Sequence, residues 1–582
     1  MAPSLLIAFV MRLPVWLAFV SAAACAANSA GDASPGAVPA PPPSGSPPAT
    51  GGGVSFGGAQ DIGQLRAILD RGDLPGAETL DANGFFNEHY NAPSPASCGG
   101  VLCVAPGMSV GRDWLTGAHQ ATLQLSVSTN VDAKDYPRLP MNLVVVVDHS
   151  GSMATDGRLD KVKHGLHTLI DNLHDDDRLA LVEFDDQVDI DAPLGTKLDR
   201  PALHAIIDRL TPRGATDIYD GLAQGFRLLG DVPASERQNR VIFLSDGLAT
   251  AGETSQSAIL AMARGPALKG VGLTTIGVGN DFDVDLMRGL AEQGAGNYYF
   301  LEDPAAADEV FSEELDFFMQ PIALDVQLDV NAGAGYRFGE VLGSKLWASD
   351  LTTGSMAVPA VFVASRTTQS GGQGRRGGGS MIFVHLTPVA GNTGRVANVQ
   401  LSYRTPGSPE RISQAINLEY TSDPKLTPDV PYLSSPEMAE RFGMYNLFLG
   451  LRAATQSTDV GCAAAVLRST EAAANAWNKS HEDPDIAADL MLIDQYLANL
   501  TAHGASGPGA ERALSSCPSV GALYGDGGDL EPLPPPPVPL PTPIDDDRGY
   551  RHNEYACSAG GPAGGAPIFL ALAALGLRRR RR

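Results

Sequence analysis

Between Leu143 and Val147 the chain carries five apolar residues without a polar break, then turns polar at Asp148-His149-Ser150-Gly151-Ser152. A strand that faces water on one side alternates in polarity. An unbroken run therefore reads as a strand covered on both faces, the situation inside a parallel sheet. The same signature returns at Arg178 to Phe184 (RLALVEF), at Arg240 to Ser245 (RVIFLS, running into Asp246) and at Gly272 to Val278 (GLTTIGV). Helical patterning falls between these runs, over about Arg158 to Leu173 and Arg200 to Leu210, from Asp217, and after Asp283 and Asp303. Strands alternating with helices over residues 141–320 predict a doubly wound α/β domain.

Ligands of such domains bind at the carboxyl ends of the strands, near a switch in strand order. Three polar loops fall there: Asp148, Ser150 and Ser152 in the first, Thr216 in the second and Asp246 in the third. Hydroxyls and carboxylates are hard oxygen donors, suited to an octahedral Mg²⁺ or Mn²⁺ that keeps waters and an open position. The D-x-S-G-S stretch, the Thr of G-A-T-D-I-Y-D-G-L and the Asp of L-S-D-G, in that order, resemble the metal-ion-dependent adhesion site of von Willebrand factor A domains. The resemblance implies a Rossmann-like fold. It also implies hydroxyl ligands from Ser150, Ser152 and Thr216, with Asp148 and Asp246 bound directly or through water. The expected ion is Mg²⁺, with Mn²⁺ or Ca²⁺ as substitutes, and the expected partner is a protein that offers an acidic side chain to it. His149 fills the variable second position and is expected to point away from the ion. On this reading Asp246→Ala abolishes partner binding and leaves the fold intact.

No catalytic residues are expected, and the chain is read as a non-enzyme. It has no HExxH, no Walker loop and no nucleophile–His–acid set, and His89 and His149 stand isolated. Metal-assisted hydrolysis would need a positioned general base, which the hydroxyl-rich set lacks. Gly53-Val54-Ser55-Phe56-Gly57 spells a hydrolase nucleophile elbow, but without a preceding apolar strand or a following helix it reads as linker. Asp281, Asp283, Asp285 and Glu292 occupy EF-hand positions, yet Leu286 stands where that loop needs Gly, so they read as helix N-terminal carboxylates.

The ends read as addresses. Residues 1–26 look like a secretory signal, with Arg12 before an apolar run and small residues around Ala24-Cys25-Ala26. Cys25 is the alternative lipidation point. At the other end Cys557, a Gly/Ala/Pro stretch, an apolar segment and Arg578 to Arg582 resemble the C-terminal sorting tag of myxobacterial surface proteins (residues 557–582). That resemblance makes Cys557 the processing and anchoring point, with the membrane touched only through the tag. The chain has 582 residues and a formal net charge of −25. Without the five terminal arginines, 36 Lys and Arg face 66 Asp and Glu, a net −30. Such acidity excludes nucleic acid as a partner. In an exported protein the four remaining cysteines imply two bridges, and sequence proximity favours Cys98–Cys103 and Cys462–Cys517.

The expected order is a disordered Pro/Gly/Ser linker (27–58), an N-terminal segment (59–100), a β segment (101–140), the α/β domain (141–320), a β region (321–425), a helical region (426–503) and a Pro-rich spacer (504–556). The two β regions are expected to form one β-sandwich with the α/β domain inserted in it or flanked by it. GQLRAILDRGDLP and AERFGMYNLFLGLRAATQ resemble stretches of exported bacterial von Willebrand A proteins labelled calcium-activated chloride channel homologues. The function implied is a cell-surface protein that binds a partner through its metal. A structural accessory of an envelope or secretion assembly, with a non-adhesive metal site, is the competing expectation.

Overall fold

The computed structural model describes residues 52–523, apart from positions 60, 90–97, 132–138, 196, 231–236, 247, 280–282, 302–306, 309, 312–320, 364–379, 390–393, 422–429 and 506–511. The expected signal, Cys25, the polyproline stretch, Cys557 and the sorting tag lie outside the described residues, as does most of the helix expected after Asp303.

In chain order the strands are β1 (Gly52–Ser55), β2 (Gly58–Ala59), β3 (Leu102–Arg112), β4 (His119–Thr129), β5 (Met141–Asp148), β6 (Arg178–Phe184), β7 (Val188–Ala192), β8 (Gln238–Ser245), β9 (Val271–Val278) and β10 (Asn297–Leu301). They continue with β11 (Pro321–Ala332), β12 (Tyr336–Leu342), β13 (Trp347–Ser349), β14 (Thr353–Val363), β15 (Ile382–Pro388), β16 (Gly394–Arg404), β17 (Arg411–Tyr420) and β18 (Tyr432–Leu433).

Seven strands form the α/β sheet in the order β2-β10-β9-β8-β5-β6-β7, parallel except for β7. Every residue of β5 is buried. Its side chains divide by the two-residue period: Leu143, Val145 and Val147 enter one core with the helices Arg158–Asn172 and Arg200–Arg209, while Val144 and Val146 enter the other with Ile218–Leu229 and Val284–Gln293. Each such side chain contributes on the order of 1.5–3 kcal/mol of burial. The chain leaves β5 toward β6 on one side, and β8, on the other side of β5, leads away to β9. The switch in strand order therefore lies between β5 and β8, whose carboxyl ends carry Asp148 and Asp246.

The expected sandwich forms around the α/β domain. β3 and β4, before that domain, join β11 to β18, after it, in one strand system of order β12-β15-β4-β1-β14-β11-β16-β17. β3 packs over β16, where the buried Tyr403 hydroxyl accepts a hydrogen bond from Leu102 N at 3.1 Å. This body meets the α/β domain at the amino end of β8. There the Arg240 guanidinium lies 5.0 Å from the centre of the Phe362 ring. The carboxyl ends of β5 and β8 point away from that junction.

Two boundaries differ from expectation. The linker stops before residue 52, because Gly52 and Gly53 pair with β4, Val54 and Ser55 pair with β14, and Gly58–Ala59 extends the α/β sheet beside β10. The elbow-like Gly53 to Gly57 is thus sheet and crossover, not linker. The spacer begins later than residue 504. Cys517, Val520 and Leu523 are buried in the helical core, and Leu523 O accepts from Arg452 Nη2 at 2.8 Å. The structure bonds Cys98 to Cys103 and Cys462 to Cys517.

The helices Gly63–Asp70 and Ala82–Glu88 supply Leu65, Leu69, Phe85 and Phe86 to that core, against the helices Met438–Thr455, Val460–His481 and Pro484–Ala502. His89 is not isolated. Its Nε2 lies 2.6 Å from Asp489 Oδ2 in the same core. Among the described residues no helix is long and apolar enough to cross a membrane.

Candidate metal centre

The three loops at the strand ends are tied to one another by their backbones. Gly151 N donates to Gly214 O at 3.2 Å and Arg213 N to His149 O at 2.7 Å, which joins the first loop to the second. Thr250 N and Ala251 N both donate to Thr216 O, at 3.0 and 3.1 Å, which joins the third to the second. Gly214 adopts φ +68°, and a Cβ there would stand 2.5 Å from Asp186 Oδ1 and 2.6 Å from Asp185 Oδ2, so the loop requires glycine on two counts.

Side chains then link four of the five candidate ligands in a row. Ser150 N donates to Asp148 Oδ1 at 2.8 Å, the Ser150 and Ser152 hydroxyls lie 3.1 Å apart, and Ser152 Oγ donates to Asp246 Oδ1 at 2.7 Å. Thr216 stands outside this row: it is buried, and its N–H donates to Thr250 Oγ1 at 3.0 Å. His149 Nδ1 lies 3.0 Å from Thr211 O.

Two residues at this site carried no assignment from sequence. Arg158 Nη1 donates to Asp246 Oδ2 at 2.7 Å, with the carboxylate fully buried. Ser245 Oγ donates to Asp148 Oδ2 at 2.6 Å. A signal for Arg158 was available. Arginine in the first turn of a helix opposes the helix dipole, so its presence there asks for an acidic partner. The Arg158–Asp246 pair also corrects the expectation for Asp246→Ala, because that change removes a carboxylate to which a buried arginine is bound.

The two carboxylates have different surroundings. Asp246 has an arginine. Asp148 is fully buried, and its oxygens accept from the neutral donors Ser150 N and Ser245 Oγ. Burial pushes its carboxyl up to about 6; the hydrogen bonds from Ser245 and Ser150 pull the other way, and the nearby Asp246 adds to the rise. Among the described residues no Lys, Arg or His forms an ion pair with Asp148. A buried anion beside three hydroxyl oxygens suits a hard divalent cation held by oxygen. Nor does any group of three or more His, Cys, Asp or Glu side chains among the described residues form a metal cluster, so the donor set here is hydroxyl-rich rather than imidazole or thiolate. Of the EF-hand-like residues, Asp281 lies outside the described residues, and Glu292 stands in the last turn of the helix Val284–Gln293 and so is not the N-terminal carboxylate expected. Asp283 caps that helix by accepting from Leu286 N at 2.9 Å, and Asp285 pairs with Lys345 at 2.6 Å.

Residues 142–313 match the family model of the von Willebrand factor type A domain. The chain is 31% identical over 201 residues to the uncharacterized protein sll0103 of Synechocystis sp., an alignment covering 34% of this chain and 46% of that protein. It is 28% identical over 190 residues to the uncharacterized protein YfbK of Escherichia coli, covering 32% and 33%. The chain thus spans less than half the length of these curated relatives. A solved von Willebrand factor type A structure from Catenulispora acidiphila is similar at 20% identity, covering 64% of this chain and 88% of that one with a TM-score of 0.44.

Proposed function

We propose that the von Willebrand factor type A domain at residues 142–313 holds a divalent cation through Asp148, Ser150, Ser152, Thr216 and Asp246, and through it binds an acidic group of a protein partner. The observation that carries this reading is the pair of buried carboxylates at the switch between β5 and β8, one matched by Arg158 and the other, Asp148, by no cationic side chain among the described residues. Mg²⁺ is the ion we assign, with Mn²⁺ and Ca²⁺ as substitutes. Bound there, it supplies a Lewis-acidic position for a carboxylate. The protein residues fix geometry: the Ser150–Ser152–Asp246 row sets the hydroxyl directions, Arg158 holds Asp246, and Gly214 lets the second loop close on the first.

Charge makes the cation decisive. A chain of net −25 repels an acidic partner at long range, so such a partner engages only where a local positive charge is available. We place the protein outside the cytoplasm on the strength of the leader-like and tag-like ends, with Cys557 as the anchor, and assign it no enzymatic activity. The test is a pull-down from envelope extract with the full chain, in Mg²⁺ and in EDTA. A partner captured in Mg²⁺ and released both by EDTA and by Ser152→Ala supports the reading. Equal capture in EDTA refutes it.

A further inference from the structure

A second candidate metal site lies on the outer face of the α/β domain, away from the strand ends. His167 and Asp171 stand four residues apart on the helix Arg158–Asn172, and His204 and Asp208 stand four residues apart on the neighbouring helix Arg200–Arg209. The two H-x-x-x-D pairs cross over. His167 Nε2 lies 3.1 Å from Asp208 Oδ1, and His204 Nε2 lies 3.0 Å from Asp171 Oδ1. The rings stack with centroids 4.8 Å apart, and their Nδ1 atoms face each other at 2.6 Å.

The chemistry of that contact is constrained by its surroundings. An ionised carboxylate only accepts hydrogen bonds, so each Nε2 carries a proton. With both rings neutral, each proton is on Nε2 and both Nδ1 atoms present lone pairs, whereas one added proton makes the contact an N–H···N hydrogen bond. Two lone pairs at 2.6 Å repel unless something positive lies at them. A ring nitrogen held by a carboxylate while the other nitrogen is free for a cation is also the usual arrangement around metal-bound histidine. Two imidazole nitrogens side by side on one ion, each at about 2.0–2.1 Å, stand roughly 2.9 Å apart in octahedral and roughly 3.3 Å apart in tetrahedral geometry. The nitrogens therefore need to part by about 0.3–0.7 Å from 2.6 Å, and at 31% and 28% side-chain exposure the rings have room.

We infer that His167 and His204 form a surface site for a borderline transition-metal ion such as Zn²⁺ or Ni²⁺, bound through the two Nδ1 atoms and oriented by Asp208 and Asp171. Its remaining positions face solvent. Nitrogen donors separate it from the oxygen-donor centre: the first selects Zn²⁺ or Ni²⁺, the second Mg²⁺ or Mn²⁺. It is also remote. Nine residues of helix, roughly 13 Å of rise, separate Arg158 at the oxygen site from His167.

The experiment is a Zn²⁺ titration of the full chain by calorimetry in excess Mg²⁺, with the ring-nitrogen resonances of His167 and His204 followed in parallel. One Zn²⁺ should bind and move both sets of resonances. His167→Gln and His204→Gln should each weaken that binding at least tenfold, and Asp171→Asn or Asp208→Asn by about 10–100-fold. Ser152→Ala and His164→Gln should leave it unchanged. All of these side chains except Ser152 lie on the exposed helix faces, and circular dichroism of each variant verifies the fold. Zn²⁺ binding indifferent to both histidine variants would overturn the inference. So would a shared proton between the rings with no Zn²⁺ uptake.

Discussion

The pair formed by His89 and Asp489 gives a pH dependence whose sign and size follow from one buried contact. Burial alone would pull the imidazole down. The Asp489 carboxylate at 2.6 Å outweighs it, with help from Asp485 and from Phe85 O, and His89 is held at about 9 instead of the ordinary 6.5. Both side chains are less than a tenth exposed, so solvent screening is slight. The difference between 6.5 and about 9 corresponds to roughly 3 kcal/mol of stability. Because the folded-state value lies above the unfolded one, this contribution is complete below about pH 6.5 and disappears as pH rises through about 9. Asp489→Asn removes the carboxylate and keeps the shape. Urea unfolding followed by tryptophan fluorescence suits the measurement, since Trp114 and Trp477 stand 6.0 Å apart beside the same core. The variant should be about 3 kcal/mol less stable than the parent at pH 6, and the gap should close above pH 9. A gap independent of pH would refute the reasoning.

Three further outcomes follow from named contacts. Arg158→Gln leaves Asp246 buried without its cation and should cost about 3–5 kcal/mol, read by thermal unfolding in EDTA, with Mg²⁺ raising the melting temperature of this variant more than that of the parent. Gly214→Ala should lower stability by at least about 1 kcal/mol and weaken Mn²⁺ binding in a titration, because a side chain at φ +68° meets Asp185 and Asp186. Replacing Cys462 and Cys517 together by serine opens a 55-residue loop and should cost about 4 kcal/mol on the chain-entropy estimate, against about 2 kcal/mol for the short Cys98–Cys103 loop, compared by urea midpoints.

The α/β domain was legible because its central strands are buried on both faces. Sequence reading placed Arg178 to Phe184 as β6 runs, and placed β8 and β9 within two residues. What escaped it was structure that depends on partners distant in sequence. β1 is a Gly-Gly-Val-Ser stretch with no alternation, made a strand by β4 and β14. β3 carries Pro106, Gly107 and Gly111, residues that argue against a strand until β4 is there to pair with it. Residues 512–523 contain few large apolar groups and read as spacer, yet the Cys462–Cys517 bond and Arg452 fix them to the helices. At the site, short motifs named five residues, and proximity of loops joined four of them by side-chain hydrogen bonds. Arg158 was missed because it lies outside the motifs, and Ser245, although it is the Ser of L-S-D-G, was given no role; both contacts exist only once β5 and β8 lie side by side.

The central claim is that Asp148 and its neighbours hold a divalent cation. Calorimetric titration of the metal-free full chain with Mn²⁺ tests it most directly, set beside Ser152→Ala and Asp148→Asn. The structure predicts one saturable Mn²⁺ site that Mg²⁺ displaces and that either substitution weakens at least tenfold. No saturable binding by the parent chain, or binding that both variants retain in full, would contradict it.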